Sequence, residues 1–408
     1  MTSEAAAPLP RRARRLLGPD DARRAARRRL PGSVFRYFEG GSEERLTIEA
    51  NREAFRSLAF RPHVGVAPTG VDASVDVLGT RLAMPVVLAP AGYIRLAHRD
   101  GELGAARAAQ RAGIATAVSS LSSQPIEAIA DAAGGDLAWY QVYFAGGRAV
   151  VERAIERARV AGCGGLVVTI DMAALGSPER PLRGGKVPTK IDLATALRHG
   201  PGMLMKPAWL AGFVRDGLSL DVPNLVDGSG RVLSVGEAAA SIAQEPPPTW
   251  EDLEWIRAAW PGPLIVKGIL RADDARRAVD VGADGVVVSN HGGNVLDGSV
   301  ATLRALPEVV DAVGDRVEVL LDGGVRRGVD VVKAVALGAR AVLIGRPYIW
   351  ALAAAGEAGV DQTLRLFQQG VERTLALLGC RSVEDLEPSL VTGAWRDGQA
   401  PGYGTSTG

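Results

Sequence analysis

Among 408 residues there are four histidines, and one of them, His291, stands where a side chain could act on a substrate. It follows Val286-Val287-Val288-Ser289-Asn290 and precedes Gly292-Gly293-Asn294. A short β-branched run that stops at turn formers reads as a buried parallel strand. The imidazole would then sit at a strand end on a glycine-lined loop, where it could take or give a proton. Taken alone, a strand-end histidine is more readily a satisfied core residue. Asp171, closing the apolar run Leu166–Asp171, supplies a carboxylate that could orient the ring and favour the cation it becomes on accepting a proton. Lys267 lies inside a third apolar run, Leu264–Ile269. The basic residues are mostly arginine, with only five lysines (Lys186, Lys190, Lys206, Lys267 and Lys333), so a lysine inside a buried strand invites a chemical reason. Lys333, on a helix face, shows that rarity alone decides nothing.

A second constellation binds rather than reacts. Asp322-Gly323-Gly324-Val325-Arg326-Arg327-Gly328 leads into a helix, so backbone N–H groups and a positive helix end can face an anion. Gly345-Arg346 adds a charged fork suited to phosphate. A plain glycine-rich tight loop would share this composition. No G-x-G-x-x-G follows a strand and opens a helix, so a nicotinamide site of the Rossmann kind is not indicated.

The elements needed to position these groups alternate. Strands are expected at Met84–Pro90, Ile114–Ser120, Leu137–Phe144, Leu166–Asp171, Leu264–Ile269, Val286–Asn290, Val317–Asp322 and Ala341–Gly345, with helices between them. Eight strand–helix units in sequence predict an α/β fold, a closed (β/α)8 TIM barrel, with an open doubly wound sheet as the alternative. Residues 1–19 are expected to form a disordered arm, followed by a helical N-terminal region from Asp20 to Phe55. The barrel is expected over residues 20–390, and 391–408 is expected to be a C-terminal tail. The long Gly- and Pro-rich insertion 175–250 after strand four is read as a lid or interface excursion, because structureless connections of that length are uncommon unless functional.

Composition narrows the setting. Hydrophobic residues make up 47% and charged residues 23%, enough for a large core, and the net charge of +1 gives no global attraction for nucleic acid. Arginines cluster at Arg11–Arg15 and Arg23–Arg29, which reads as a solvated arm and a surface helix. Cys163 and Cys380 belong to no metal or redox motif, and no metal is expected. With no membrane-length apolar run and no signal peptide, a cytoplasmic location is expected.

In such a barrel chemistry gathers at the C-terminal strand ends. Those ends carry Pro90-Ala91-Gly92, Ser119-Ser120, Gln141 and Tyr143, Thr169 and Asp171, Lys267, Ser289 and His291, Asp322-Gly323-Gly324, and Gly345-Arg346. A merely structural barrel would not require this polarity. A phosphate site, a lysine across the mouth and hydroxyl or amide groups between them would suit flavin mononucleotide, with Lys267 stabilising negative charge on the reduced ring.

These residues resemble the FMN-dependent 2-hydroxy acid oxidase/dehydrogenase family over about residues 25–386. The most specific pieces are Ser-Asn-His-Gly-Gly at 289–293, Leu-Asp-Gly-Gly-Val-Arg-Arg-Gly at 321–328 and Ile-Gly-Arg-Pro at 344–347. The resemblance implies FMN contacts at Pro90, Ala91, Gly92, Ser119, Gln141, Thr169, Lys267, Ser289, Asp322, Gly323, Gly324, Arg326, Gly345 and Arg346. It makes His291 the proton acceptor with Asp171 beside it, places Tyr37 and Tyr143 near the substrate, and implies a homotetramer or larger.

Two positions depart from that family. Its hydroxy-acid members follow His-Gly-Gly or His-Gly-Ala with an arginine that clamps the substrate carboxylate, and here the position is Asn294. A second expected arginine is replaced around Pro178, with Arg180 and Arg183 nearby. An amide cannot replace a bidentate cation, and losing such a pair costs on the order of 2–5 kcal/mol. The expected substrate therefore lacks a carboxylate beside the reacting carbon. His-Gly-Gly-Asn-x-Leu-Asp-Gly at 291–298 and Pro-Pro-Pro-Thr-Trp-Glu-Asp at 246–252 resemble a narrower group, the flavoenzymes of the mycofactocin system. That resemblance implies oxidation of the amine of a lactam derived from a Val–Tyr peptide end to an α-keto amide, with Asn294 as a substrate contact. The alternatives are an L-2-hydroxy acid oxidase with Arg180 or Arg183 as clamp, an FMN-dependent isomerase and, least favoured, a scaffold without activity.

Overall fold

Aliphatic runs with no polar alternation need cover on both faces, and a parallel sheet ringed by helices supplies it. In the computed structural model, which describes residues 9–66, 68, 70–174, 202–215, 221–245 and 247–393, eight such runs close into a barrel. They are β1 (Val86–Leu88), β2 (Thr116–Ser119), β3 (Ala138–Val142), β4 (Gly165–Thr169), β5 (Leu264–Ile269), β6 (Gly285–Val288), β7 (Glu318–Asp322) and β8 (Ala341–Ile344). All neighbours pair in parallel, and β8 meets β1 through Val342–Val86, Leu343–Val87 and Ile344–Leu88. The (β/α)8 barrel is therefore the fold, not the open sheet.

The outer ring consists of α1 (Gly101–Arg111), α2 (Ile126–Ala133), α3 (Arg148–Val160), α4 (Trp250–Ala259), α5 (Ala272–Asp280), α6 (Thr302–Val313), α7 (Gly328–Ala336), α8 (Arg346–Ala355) and α9 (Glu357–Leu378). The sequence reading had no helix at α4. Its start is marked by a capping box in which Thr249 and Asp252 each accept the other's backbone N–H, directly after the prolines that had read as loop.

Three expectations about the flanks are corrected. Residues 9–19 are ordered: Arg11–Arg14 is a helical turn with Ala13 and Leu16 buried against the barrel helices. The C-terminal tail begins as structure, since Val391–Thr392 pairs antiparallel with Ala59–Phe60. The Gly- and Pro-rich insertion holds regular elements. A hairpin of Asp221–Val226 and Val232–Ser234 is followed by a helix, Val235–Gln244, whose Ser234 cap forms another capping box. Asn224 of that hairpin donates to Ser122 Oγ at 2.6 Å and accepts from Ile126 N at 2.9 Å, so the hairpin sits on the loop after β2. Helix Pro207–Arg215 sits on the loop after β1, where Trp209 Nε1 donates to the Leu96 carbonyl at 2.7 Å. The remainder of the expected lid, 175–201, 216–220 and 246, lies outside the described residues.

Two N-terminal helices, Gly32–Glu39 and Leu46–Arg56, reach the barrel mouth. The second has no capping side chain of its own. Asp297, from the loop after β6, accepts from Leu46 N and Thr47 N at 3.1 and 2.8 Å and takes that role.

Candidate active site at the barrel mouth

Lys267 is 4% exposed on β5, and its ammonium donates to Ser289 Oγ at 2.8 Å and pairs with Asp322 Oδ2 at 3.2 Å. Burial alone would favour the neutral amine. The Asp322 and Asp171 carboxylates outweigh it and hold Lys267 above its ordinary pKa, so it stays a cation. Ser289 Oγ also accepts from His291 N at 3.1 Å, which fixes the turn in which the imidazole hangs. His291 has φ +54, a left-handed conformation rare for a side chain of this size, and it persists because the surrounding bonds determine it.

The two ring nitrogens face different partners. Nδ1 lies 2.9 Å from Asp171 Oδ1 and Nε2 lies 3.1 Å from the Tyr143 hydroxyl. Asp171 pays a burial penalty that would raise its pKa, but His291 and Lys267 overcome it and hold the carboxyl down at about 2. Burial, with the Asp171 charge added, pushes the Tyr143 phenol far above its usual range. Asp171 is thus an acceptor only and Tyr143 a donor. The ring then carries its proton on Nδ1 and offers the Nε2 lone pair.

Several sequence-predicted residues have structural jobs as well. Asn294 Nδ2 donates to the His291 carbonyl at 2.7 Å, closing the catalytic turn. Arg346 donates from one terminal nitrogen to the Gly292 carbonyl at 2.9 Å and from the other to the Gly40 carbonyl at 2.6 Å, tying that turn to the N-terminal helices. Gly324 has φ +87, and a Cβ there would come within 2.4 Å of the Asn51 carbonyl, so the close approach of helix Leu46–Arg56 demands glycine. Ser119 Oγ accepts from Leu121 N at 3.1 Å, shaping the loop after β2. A Cβ on Gly92 would stand 3.1 Å from that of Leu121. Tyr37, on helix Gly32–Glu39, is close enough to Tyr93 and Tyr143 to oppose their ionisation. Pro178, Arg180 and Arg183 lie outside the described residues.

Two features escaped the sequence reading. Tyr93 directly follows Pro90-Ala91-Gly92, is 9% exposed, and holds φ +58, so a third tyrosine joins Tyr37 and Tyr143 at the mouth. Asn51 and Asn290 exchange side-chain hydrogen bonds of 2.9 Å in both directions, and Asn51 Oδ1 also accepts from Thr302 N. The asparagine before His291 was the only hint.

Whether these residues suit FMN can be judged from their unmet needs. Gln141 donates to Thr169 Oγ1 at 3.1 Å, yet Gln141 Oε1 and Asp322 Oδ1 are buried acceptors with no donor among the described residues. Such atoms ask for donors, and a flavin ring N–H and ribityl hydroxyls provide them. Arg326 is half-buried over the Trp350 ring at 5.4 Å, and no carboxylate pairs with it among the described residues. Burial, helped by Arg52, lowers its pKa to about 10, leaving a guanidinium that an anion would stabilise. Gly323 and Gly324 lie in the loop before the N-terminus of α7, where a phosphate is favoured. The residues fit the group.

A (β/α)8 barrel with this mouth defines an FMN-dependent oxidoreductase, and the chain belongs to the FMN-dependent dehydrogenase family, whose model matches residues 26–393. The pre-mycofactocin synthase of Mycolicibacterium smegmatis is 45% identical over 372 residues, 90% of this chain and 91% of that protein. The L-lactate dehydrogenase of Alcaligenes faecalis is 39% identical over 373 residues, 91% of this chain and 97% of that one. Among solved structures, the monotopic membrane protein (S)-mandelate dehydrogenase superposes with a TM-score of 0.85 at 36% identity, covering 93% of this chain and 99% of its own. An arginine-to-leucine variant of mandelate oxidase with 2-hydroxy-phenylacetamide gives 0.76 at 38% identity, covering 92% and 98%.

Proposed function

We propose that this FMN enzyme oxidises a neutral, carboxylate-free substrate, the amine of a lactam derived from a Val–Tyr peptide end, and that hydrolysis of the imine leaves an α-keto amide. The observation that carries the reading is Asn294. Where the hydroxy-acid members of the family hold a carboxylate-clamping arginine, this chain has a neutral amide whose N–H already serves the His291 carbonyl. Of the other cations described there, Lys267 is engaged with Asp322 and Arg346 with two carbonyls, and Arg326 belongs to the phosphate end of the site. The pre-mycofactocin synthase relatives support the same substrate class. So does the mandelate oxidase variant, which lacks an arginine and was solved with a carboxamide.

Gln141, Lys267, Asp322 and Arg326 would hold FMN, which would supply the acceptor for the hydride equivalent of the amine-bearing carbon. His291 Nε2 takes the N–H proton as the C=N bond forms, and Asp171 on Nδ1 stabilises the imidazolium. Tyr143 keeps its proton and hydrogen-bonds the substrate or the base. Lys267 stays charged and balances negative charge on the ring. Water then adds to the imine and ammonia leaves.

Lactate dehydrogenases and oxidases at 38–42% identity favour a second reading, an L-2-hydroxy acid oxidation on the same base. Anaerobic mixing separates the two. Flavin absorbance should bleach with the lactam amine and persist with lactate, glycolate or mandelate. Bleaching by a hydroxy acid at millimolar KM or better, with the amine inert, would establish the second reading.

A further inference from the structure

The charge of this chain nearly cancels overall, yet its N-terminal arginines do not disperse. Helices Arg11–Arg14 and Pro19–Arg29, the turn after β1 and helix Pro207–Arg215 enclose a groove of about 580 Å3. Arg12, Arg15, Arg28 and Arg99 border it and take part in no ion pair among the described residues. On the same helix, by contrast, Arg24 pairs with Asp21 and Arg23 with Glu39. Among the described residues, Asp21 is the one carboxylate on its lining. The base is firmly built. Lys206 Nζ donates to the Arg28 carbonyl at 2.6 Å and Arg29 to the Ala354 carbonyl at 2.6 Å. Met205 on the lining is 80% exposed, and Leu204 and Leu17, next in sequence to the lining residues Met205 and Leu16, are 70% and 72% exposed. Residues 9–25 of this face precede the segment that the family model matches.

Free cations alone attract any polyanion. Exposed leucine and methionine gain nothing from a phosphodiester backbone, but they gain by entering the apolar layer beneath lipid headgroups. We propose that this face docks on a membrane surface rich in anionic phospholipid. It seats on the surface without crossing it, since no helix among the described residues is long and apolar enough to span a bilayer. The groove borders the turn after β1, so docking brings one side of the barrel mouth next to the headgroups.

Co-sedimentation of the FMN-loaded full chain with vesicles tests this. Pelleting is expected with mixed phosphatidylglycerol and phosphatidylcholine at low salt, not with phosphatidylcholine alone, and it should vanish at about 0.5 M salt. Each cation near such a surface contributes about 1 kcal/mol, so Arg12→Glu, Arg15→Glu and Arg28→Glu together should lower the partition by about 100-fold or more. FMN content and turnover of a soluble substrate should stay at the unmodified level. Leu204→Ser with Met205→Ser should lower the partition by about tenfold at constant salt. Failure of the unmodified chain to pellet on the anionic vesicles at low salt overturns the proposal. Pelleting indifferent to Leu204 and Met205 but abolished by an acidic peptide or heparin also overturns it, and assigns the groove to a soluble polyanion.

Discussion

At the scale of single residues the site is a chain of proton positions, Asp171 to His291 to Tyr143, and each link makes a different prediction. Removing the base should remove turnover and leave the flavin in place. His291→Ala is expected to lower kcat by about a thousandfold or more with FMN content unchanged in the visible spectrum, and undiminished turnover would remove the imidazole from the chemistry. Asn294→Arg should weaken use of the neutral amine and bring hydroxy acids within reach, seen as a reversal in the ratio of kcat/KM for the two classes. An unaltered ratio would separate position 294 from substrate choice. Because Tyr143 is held protonated far into the alkaline range, Tyr143→Phe should alter rate without moving the alkaline limb of a pH profile. His291, Asp171, Lys267 and Ser289 were legible because each ends or interrupts an apolar run, where a polar residue has no structural excuse. Tyr93 and the carbonyl bonds of Arg346 were not, because φ angles and contacts between residues 40, 292 and 346 leave no local trace in sequence.

Among the elements, the strands were legible and the connections less so. Val286–Val288 can be little other than a buried strand. Trp250–Ala259 begins behind prolines, and the hairpin at 221–234 lies in a stretch whose glycines and prolines mask its alternation. The motif at 291–298 gains a mechanical meaning from the structure. Its aspartate, Asp297, caps helix Leu46–Arg56 across the mouth, and Gly293 gives Ile48 the room to pack there. Asp297→Ala should cost about 1–2 kcal/mol in a denaturant titration and loosen the catalytic loop, since two backbone donors lose their acceptor. A change below about 0.3 kcal/mol would assign the helix another anchor.

At the scale of the whole molecule, cofactor and acidity both enter stability. Removing FMN should lower Tm, and adding it back at about a hundred times its Kd should restore about 2.7 kcal/mol. Asp171 is held at about 2 against an ordinary 3.8. Its contribution, at most about 2 kcal/mol, is therefore present above roughly pH 4 and lost as the pH falls toward 2. Asp171→Asn should flatten that part of an acid titration of stability, and an unchanged acid limb would place the effect on other carboxylates. Arg346 adds a matter of timing. It is the first residue of α8, just past β8, and it grips Gly292 with one nitrogen and Gly40 with the other. On a ribosome the catalytic turn must therefore wait, incompletely fastened, until nearly the entire polypeptide has emerged. A nascent chain arrested before that arginine would hold every proton-handling residue and still lack the clasp that sets them.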